Sequence, residues 1–408
     1  MNNERENNRI NAELLAPAGS YDKLRCALHF GADAVYVGGK QFSLRTFADN
    51  FTIEELQSAV NHAHALSKKV YVTANIFAKN ADFVALEEYF KTLEGIGADA
   101  VIISDPGVVY MAKKAAPGLQ IHLSTQANTT NKYAVRFWQE QGVSRVILAR
   151  ELSLNEIREI HEFTPETELE AFVHGAMCIS YSGRCLLSDY LDGRSSNRGA
   201  CVQSCRWRYE VRAQNPTNGQ AEWLPIEEDD KGTYIFNSKD LNMSAYLREM
   251  EGAGVRSFKI EGRMKSAYYL ATVINAYRRL MDGGELALCE KELANVAHRA
   301  YTTAYTLGKN KNTVNYEDSQ SKGDSVYIAD VLGSEDGFVI AQMRNRFKQG
   351  DRLEVLSPSE NFGKSFTAEE IYDSKGERTE DGKLVQEIYK IKCPYALEKG
   401  DYLRRKND

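Results

Sequence analysis

The sequence contains no apolar run approaching the roughly 20 residues that a helix needs to cross a bilayer; its hydrophobic stretches are short, strand-like and followed by polar residues. Residues Met1 to Ile10 are polar and charged, with neither an apolar core nor a small-residue cleavage site, which predicts a chain without a secretory leader and a cytoplasmic setting. There is no internal repeat and no low-complexity tract. There is also no His-Glu-x-x-His helix and no Gly-x-Ser-x-Gly elbow, so hydrolysis lacks both a zinc motif and a serine-nucleophile motif. The charge imbalance is small: a net charge of -6 neither demands nor excludes an anionic partner. Cysteine is scarce over most of the chain, with only Cys26, Cys289 and Cys393 outside one short stretch.

The other four cysteines, Cys178, Cys185, Cys201 and Cys205, are separated by six, fifteen and three residues. That local density asks for a metal centre. Structural zinc sites usually pair sulfurs two to four residues apart at both ends, and here only Cys201 and Cys205 qualify. Four thiolates from an irregular, glycine-containing segment can instead hold an iron-sulfur cluster, with Ser182-Gly183 and Gly199 letting backbone amides approach the sulfurs. Disulfides and buried free thiols are the remaining alternatives, and a cytosolic setting opposes the first. Arg184, Arg194, Arg198, Arg206, Arg208 and Arg212 outnumber Asp189, Asp192 and Glu210, so the segment is locally cationic and suited to carboxylates, phosphates or surface ion pairs.

With 408 residues, 43% apolar and 26% charged, the chain has length for one large domain and a smaller one. Over the first 260 residues, β-rich runs alternate with amphipathic stretches: Glu13–Pro17, Ala34–Gly38, Val70–Asn75, Ala100–Ser104, Gln120–Ser124, Arg145–Ala149, Leu169–Val173 and Ser257–Glu261. Eight parallel strands close a (β/α)8 TIM-like barrel, which the count favours over an open doubly wound sheet. Gly31-Ala-Asp33 and Gly97-Ala-Asp99 suit helix ends leading into strands. Residues 1–310 are expected to form the barrel domain, with a cysteine-rich insertion over 178–255 after strand seven. Within it, Trp207–Arg212 and Tyr234–Asn237 are expected to pair as a hairpin around Glu227–Asp230, as a lid. After a polar linker around 309–322, strands over 326–331, 337–341, 352–356 and 386–392 predict a small C-terminal β-barrel-like domain over 320–408.

Chemistry in such barrels gathers at the carboxyl ends of strands, here Asn75, Asp105, Gln126, Arg150, Glu151, His174, Glu261 and Arg263. His174, Arg150, Glu261 and Arg263 are the expected catalytic residues, and Asn75, Gln126, Arg184 and Arg206 are expected to touch substrate. Arg344, Arg346 and Lys348, around Phe347, and the basic run Arg404-Arg-Lys406 are candidates for phosphate contact. Tyr181 and Trp207 are candidate stacking partners for a base.

The run Glu170-Ala-Phe-Val-His-Gly-Ala-Met-Cys-Ile-Ser-Tyr-Ser-Gly-Arg-Cys185, followed by Asn197-Arg-Gly-Ala-Cys201 and Cys205-Arg206, resembles the signature of the collagenase-like peptidase family U32. Glu13-Leu-Leu-Ala-Pro-Ala-Gly19, Ala34-Val-Tyr-Val-Gly38 and Lys259-Ile-Glu-Gly-Arg263 extend the resemblance over residues 13 to 300. It implies a 4Fe-4S cluster on Cys178, Cys185, Cys201 and Cys205. In length and layout the chain is similar to those family members implicated in tRNA modification, the hydroxylation of the wobble uridine to 5-hydroxyuridine with prephenate required. That implies the tRNA anticodon loop and prephenate, or a related carboxylate held by Arg150 and Arg263, as partners; a homologous partner subunit stays open. The alternatives are a collagenase-like hydrolase and an oxygen-independent hydroxylase of another substrate.

Overall fold

The computed structural model describes residues 9–44, 49–178, 180–185, 187–192, 194, 196–198, 200–206, 213–214, 221–222, 228–229, 232–233, 238–308 and 323–407. Seven strands alternate with six helices: β1 (Glu13–Pro17), α1 (Tyr21–His29), β2 (Ala34–Gly38), α2 (Ile53–Ala65), β3 (Lys69–Thr73), α3 (Phe83–Gly95), β4 (Ala100–Ile103), α4 (Pro106–Ala115), β5 (Gln120–Leu123), α5 (Lys132–Glu140), β6 (Arg145–Ile147), α6 (Leu154–Phe163) and β7 (Glu168–Ala176). After α7 (Leu187–Asp192), β8 (Asp240–Asn242) and α8 (Leu247–Gly252) comes β9 (Val255–Ile260), which pairs in parallel with both β1 and β7. That double pairing closes an eight-stranded parallel barrel, as the eight β-rich runs imply.

Local sequence explains the elements. Thr52 and Ser153 cap α2 and α6 through reciprocal bonds with Glu55 and Glu156, and Asp105 accepts the Gly107 and Val108 amides at the start of α4. In both Gly-Ala-Asp motifs the glycine takes a positive φ, +97° at Gly31 and +77° at Gly97, just past the helix end. The aspartate then reaches a neighbouring strand: Asp33 accepts the Leu14 amide at 3.0 Å and Asp99 the Val70 amide at 2.8 Å. Each motif thus ends a helix and ties down a strand.

The barrel floor is ionic rather than wholly aliphatic. Arg145, at the start of β6, donates to Glu13 at 2.6 Å and to Glu170 at 3.2 Å, while Lys259 donates to Glu170 at 2.6 Å. Ser257 and Tyr71 donate to Glu13 at 2.9 and 2.6 Å. His122 packs edge-on to Tyr71 here, and its pKa is driven well down, first by burial and then by the positive charges of Arg145 and Lys259.

Two short antiparallel pairs lie in the insertion, 213–214 with 221–222 and 228–229 with 232–233. The lid strands expected at Trp207–Arg212 and Tyr234–Asn237 lie outside the described residues. So does the linker over 309–322. β8 pairs antiparallel with β7 and carries β10 (Tyr301–Thr302) on its outer edge; between them in sequence run α9 (Ala267–Met281) and α10 (Leu286–Leu293).

The C-terminal strands are β11 (Ser325–Glu335), β12 (Phe338–Met343), β13 (Arg352–Leu356), β14 (Ser365–Thr367), β15 (Ile371–Tyr372), β16 (Arg378–Thr379), β17 (Ile388–Lys392) and β18 (Tyr402–Lys406), in one sheet ordered β14-β13-β18-β11-β12-β17-β15-β16. Arg404 of β18 is buried between the barrel and this sheet, bidentate to Glu292 of α10 at 2.6 and 2.7 Å and bonded to Glu354 of β13 at 2.9 Å. Tyr268 stacks on Tyr327 with centroids 5.0 Å apart, and Arg279 donates to the carbonyls of Ser357, Pro358 and Ser359.

Removing the Arg404 guanidinium leaves two carboxylates without their cation in a dry contact. The Arg404→Ala variant should therefore lose about 3–5 kcal/mol in urea unfolding at pH 7. A loss below about 1 kcal/mol would mean that the triad does not hold the two parts together.

Candidate active site at the barrel mouth

A cavity of about 500 Å³ opens at the carboxyl ends of the strands. It gathers side chains from five strand ends: Thr73 and Asn75 at the end of β3, Gln126 after β5, Arg150 and Glu151 after β6, Ala176 and Met177 at the end of β7, and Lys259, Glu261 and Arg263 from β9 onward. All four clustered cysteines line it too. Among the described residues its lining has four cationic side chains, Arg150, Lys259, Arg263 and Lys265, against the carboxylates of Glu151 and Glu261, and no histidine.

None of the cysteines forms a disulfide. Cys178 Sγ lies 2.9 Å from Ser180 Oγ, while Cys185 and Cys201 each accept, at 3.4 Å, the backbone amide two residues further on, from Leu187 and Gln203. Such N–H···S bonds orient the sulfur. The Cys185 carbonyl is held by Ser196 Oγ at 2.5 Å and Asn197 Nδ2 at 3.1 Å, and Phe77 ties this segment to the turn after β3 through Asn197 and Arg198. Among the described residues no three of His, Cys, Asp and Glu converge closely enough to grip a metal ion as they stand. The fit to an iron-sulfur cluster therefore rests on the donor set: four cysteines, none in a disulfide, on one cavity. The scattered thiols contrast with these. Burial pushes Cys26 and Cys289 up to about 12 and raises Cys393 as well.

Arg150 lies over the Phe172 ring at 3.9 Å, donates to the Ala176 carbonyl at 3.0 Å and stands 3.8 Å from Glu261. Its Nε is buried without a hydrogen-bond partner. Arg263, 4% exposed, donates to Ser43 at 2.9 Å, Thr73 at 3.1 Å and Asn50 at 2.8 Å. Gly38 makes room for it, since a Cβ there would lie 2.5 Å from Arg263 Nη2. Asn75 and Gln126 bond each other at 3.2 Å across the cavity wall.

Residues 19–316 match Peptidase family U32, and residues 324–404 match the Peptidase family U32 C-terminal domain. The chain belongs to peptidase family U32. A curated relative named tRNA hydroxylation protein P1, from Bacillus subtilis, is 40% identical over 96% of this U32 chain and 94% of its own length. One named tRNA hydroxylation protein P, from Escherichia coli, is 40% identical over 90% of each chain. Another, named collagenase, from Porphyromonas gingivalis, is 33% identical over 73% of this chain and 74% of its own.

The structure of this U32 chain brings together Cys178, Cys185, Cys201, Cys205, Arg150, Glu261, Arg263, Asn75 and Gln126 at one cavity. Arg184 stands beside it, donating to the Gln126 carbonyl at 2.7 Å and lying over Phe77. Arg344, Arg346 and Lys348 lie elsewhere, in the C-terminal domain, with Arg344 paired to Asp330 and Arg346 to Asp381, each at 2.5 Å. The Arg206 side chain and Trp207 lie outside the described residues. Arg404, expected among phosphate-contacting residues, is instead buried between Glu292 and Glu354.

His174 corrects the alternation argument. Inward residues should recur as Glu170, Phe172 and His174, but β7 bulges beside β9: Phe172 pairs with Lys259, whereas His174 pairs with the very next residue, Ile260. The extra residue turns His174 away from the cavity, into a cluster with Tyr269, Tyr277 and Tyr301. Burial then lowers its pKa to about 3. Lys259 and Lys265 are the functional candidates missed from sequence; for Lys259 the signal was alternation along β9, two residues before Glu261.

An unfolded histidine takes up a proton below about pH 6.5, whereas the folded His174 stays neutral down to about 3. The stability it contributes is thus complete above pH 6.5 and is lost as pH falls towards 3. Urea unfolding at pH 6, 5 and 4 should show His174→Asn lacking about 1.4 kcal/mol per pH unit of the wild-type decline. Identical slopes would place His174 in a protonatable setting.

Proposed function

We propose that this chain hydroxylates tRNA, converting the wobble uridine of the anticodon loop to 5-hydroxyuridine with prephenate required, and that Cys178, Cys185, Cys201 and Cys205 hold a 4Fe-4S cluster for it. The observation that carries this reading is the meeting, among the described residues, of four cysteines outside any disulfide and four cationic side chains on one cavity at the barrel mouth. Relatives that match nearly the whole chain and are named for tRNA hydroxylation support the RNA substrate.

When bound, the cluster supplies one-electron chemistry at a potential set by burial and by amide bonds to its sulfurs. The side chains around it bind and orient. Arg150 and Arg263 both line the cavity and are suited to clamp the carboxylates of prephenate or a related acid. Phe172, beneath Arg150, keeps that guanidinium flat and partly dry, which strengthens its hold on an anion. Glu261, 3.8 Å from Arg150, is the carboxylate that faces the guanidinium at the cavity wall. A uridine from a single-stranded loop costs little to unstack, and Tyr181, half exposed, offers a ring beside the mouth on which it can lie. Peptide hydrolysis finds no support in the lining: Ser182 Oγ is committed to Glu151 and His174 faces away.

The test is mass spectrometry of wobble uridines in tRNA from cells with and without this gene, together with iron and sulfide analysis of anaerobically purified protein. Loss of 5-hydroxyuridine-derived nucleosides with about four irons per chain is the expected result. Cys201→Ser should lose cluster and modification together, and Arg150→Ala should raise the prephenate concentration that hydroxylation requires. Unchanged tRNA in the deletion strain would overturn the substrate, and full iron in Cys201→Ser would overturn the ligand set.

A further inference from the structure

We propose that Glu151 is a positioning residue that fastens the loop between Cys178 and Cys185 to the barrel, and so governs how firmly a cluster is retained there; the inference rests on the cluster reading above. Glu151 follows β6, on the neighbouring strand of the barrel rather than within the cysteine segment. Both of its carboxylate oxygens are engaged by a single residue of that segment: the Ser182 amide donates to Oε1 at 2.7 Å and the Ser182 hydroxyl to Oε2 at 2.5 Å. Ser182 is 4% exposed and holds a left-handed backbone, φ +43° and ψ +35°, which an L-residue keeps only where its surroundings enforce it. The two bonds to Glu151 are that enforcement.

The grip has a second half. Arg150, adjacent in sequence, donates to the Ala176 carbonyl at 3.0 Å and lies 3.8 Å from Met177 Sδ, so two consecutive residues after β6 hold the chain on both sides of Cys178. Arg184, one residue before Cys185, is bonded at 2.7 Å to the Gln126 carbonyl in the turn after β5. The loop is therefore spanned by attachments to two consecutive barrel strands, with the Glu151 carboxylate at its middle. Its role is indirect: it touches Ser182, and Ser182 sets the path between the two sulfurs.

Orienting partners of metal ligands typically change metal retention by about 10–100-fold when removed. Iron transfer from the anaerobically purified protein to a chelator should be about tenfold faster or more in Glu151→Ala, and intermediate in Glu151→Gln, whose amide oxygen can still accept one of the two bonds. The barrel's thermal unfolding should not move in either variant, and in metal-free protein the Ser182 amide should exchange with solvent faster in Glu151→Ala than in wild type. Equal iron-release rates in wild type and Glu151→Ala would overturn the proposal. If the wild type carries no iron, the cluster reading fails; amide exchange at Ser182 then decides the clamp alone, and unchanged exchange refutes it. If Glu151→Ala does not fold, Ser182→Ala removes one bond at the other end and should give the same direction of change, and its absence overturns the clamp.

Discussion

Everything at the barrel mouth depends on β7 and β9 lying side by side. They are parallel neighbours that close the ring, yet the chain between them leaves the barrel, builds the cysteine-bearing segment and returns. Parallel pairing forces the departure to occur at the carboxyl end of β7, so the first cysteine cannot be anywhere but at the mouth. Gly175 marks the point of divergence. Its φ is +109°, and a Cβ there would sit 2.5 Å from the Glu261 carbonyl oxygen, so a side chain would wedge the two strands apart where the cavity begins.

Below that seam the barrel is charged and internally balanced; above it, the cavity lining is cationic. Glu13 and Glu170 face Arg145 and Lys259 within hydrogen-bonding reach, with Ser257 and Tyr71 satisfying further oxygen lone pairs. Such a buried network adds little net stability, because the cost of desolvating the charges offsets their attraction. It does impose a unique arrangement, since any shift in strand register would strand a charge in a dry interior. Lys259 belongs to both levels: its ammonium is anchored on Glu170 and its surface contributes to the cavity.

Much of this was legible in the chain. The eight strands were readable because alternating β-rich runs and capped helices recur with punctuation that has a mechanical role, as the Gly-Ala-Asp motifs show at Asp33 and Asp99. The cysteines were readable because clustering in sequence became clustering in space. His174 misled because strand alternation assumes an unbroken pleat, and one extra residue in β7 turns this side chain out of the cavity. Arg404 and Arg344 misled because charge runs look solvent-facing until a partner distant in sequence appears: Glu292 lies 112 residues from Arg404. Glu151 was visible as a strand-end residue, but its bonds to Ser182 span 31 residues and leave no local signature.

The order of strands in the C-terminal sheet has a consequence for how the molecule is made. β18 is the last of the eight strands in sequence, yet it lies inside the sheet, between β13 and β11. During synthesis the preceding strands cannot complete a sheet; they wait with unpaired edges until residues 402–406 have left the ribosome, while the barrel, finished earlier, can already have closed. The strand that arrives last also carries Arg404 to Glu292, so completion of the sheet adds the buried ionic contact to the stacking and carbonyl contacts already available to the barrel. A chain released before those residues would therefore present a formed barrel trailing open, sticky strand edges, the kind of product that chaperones and proteases recognise.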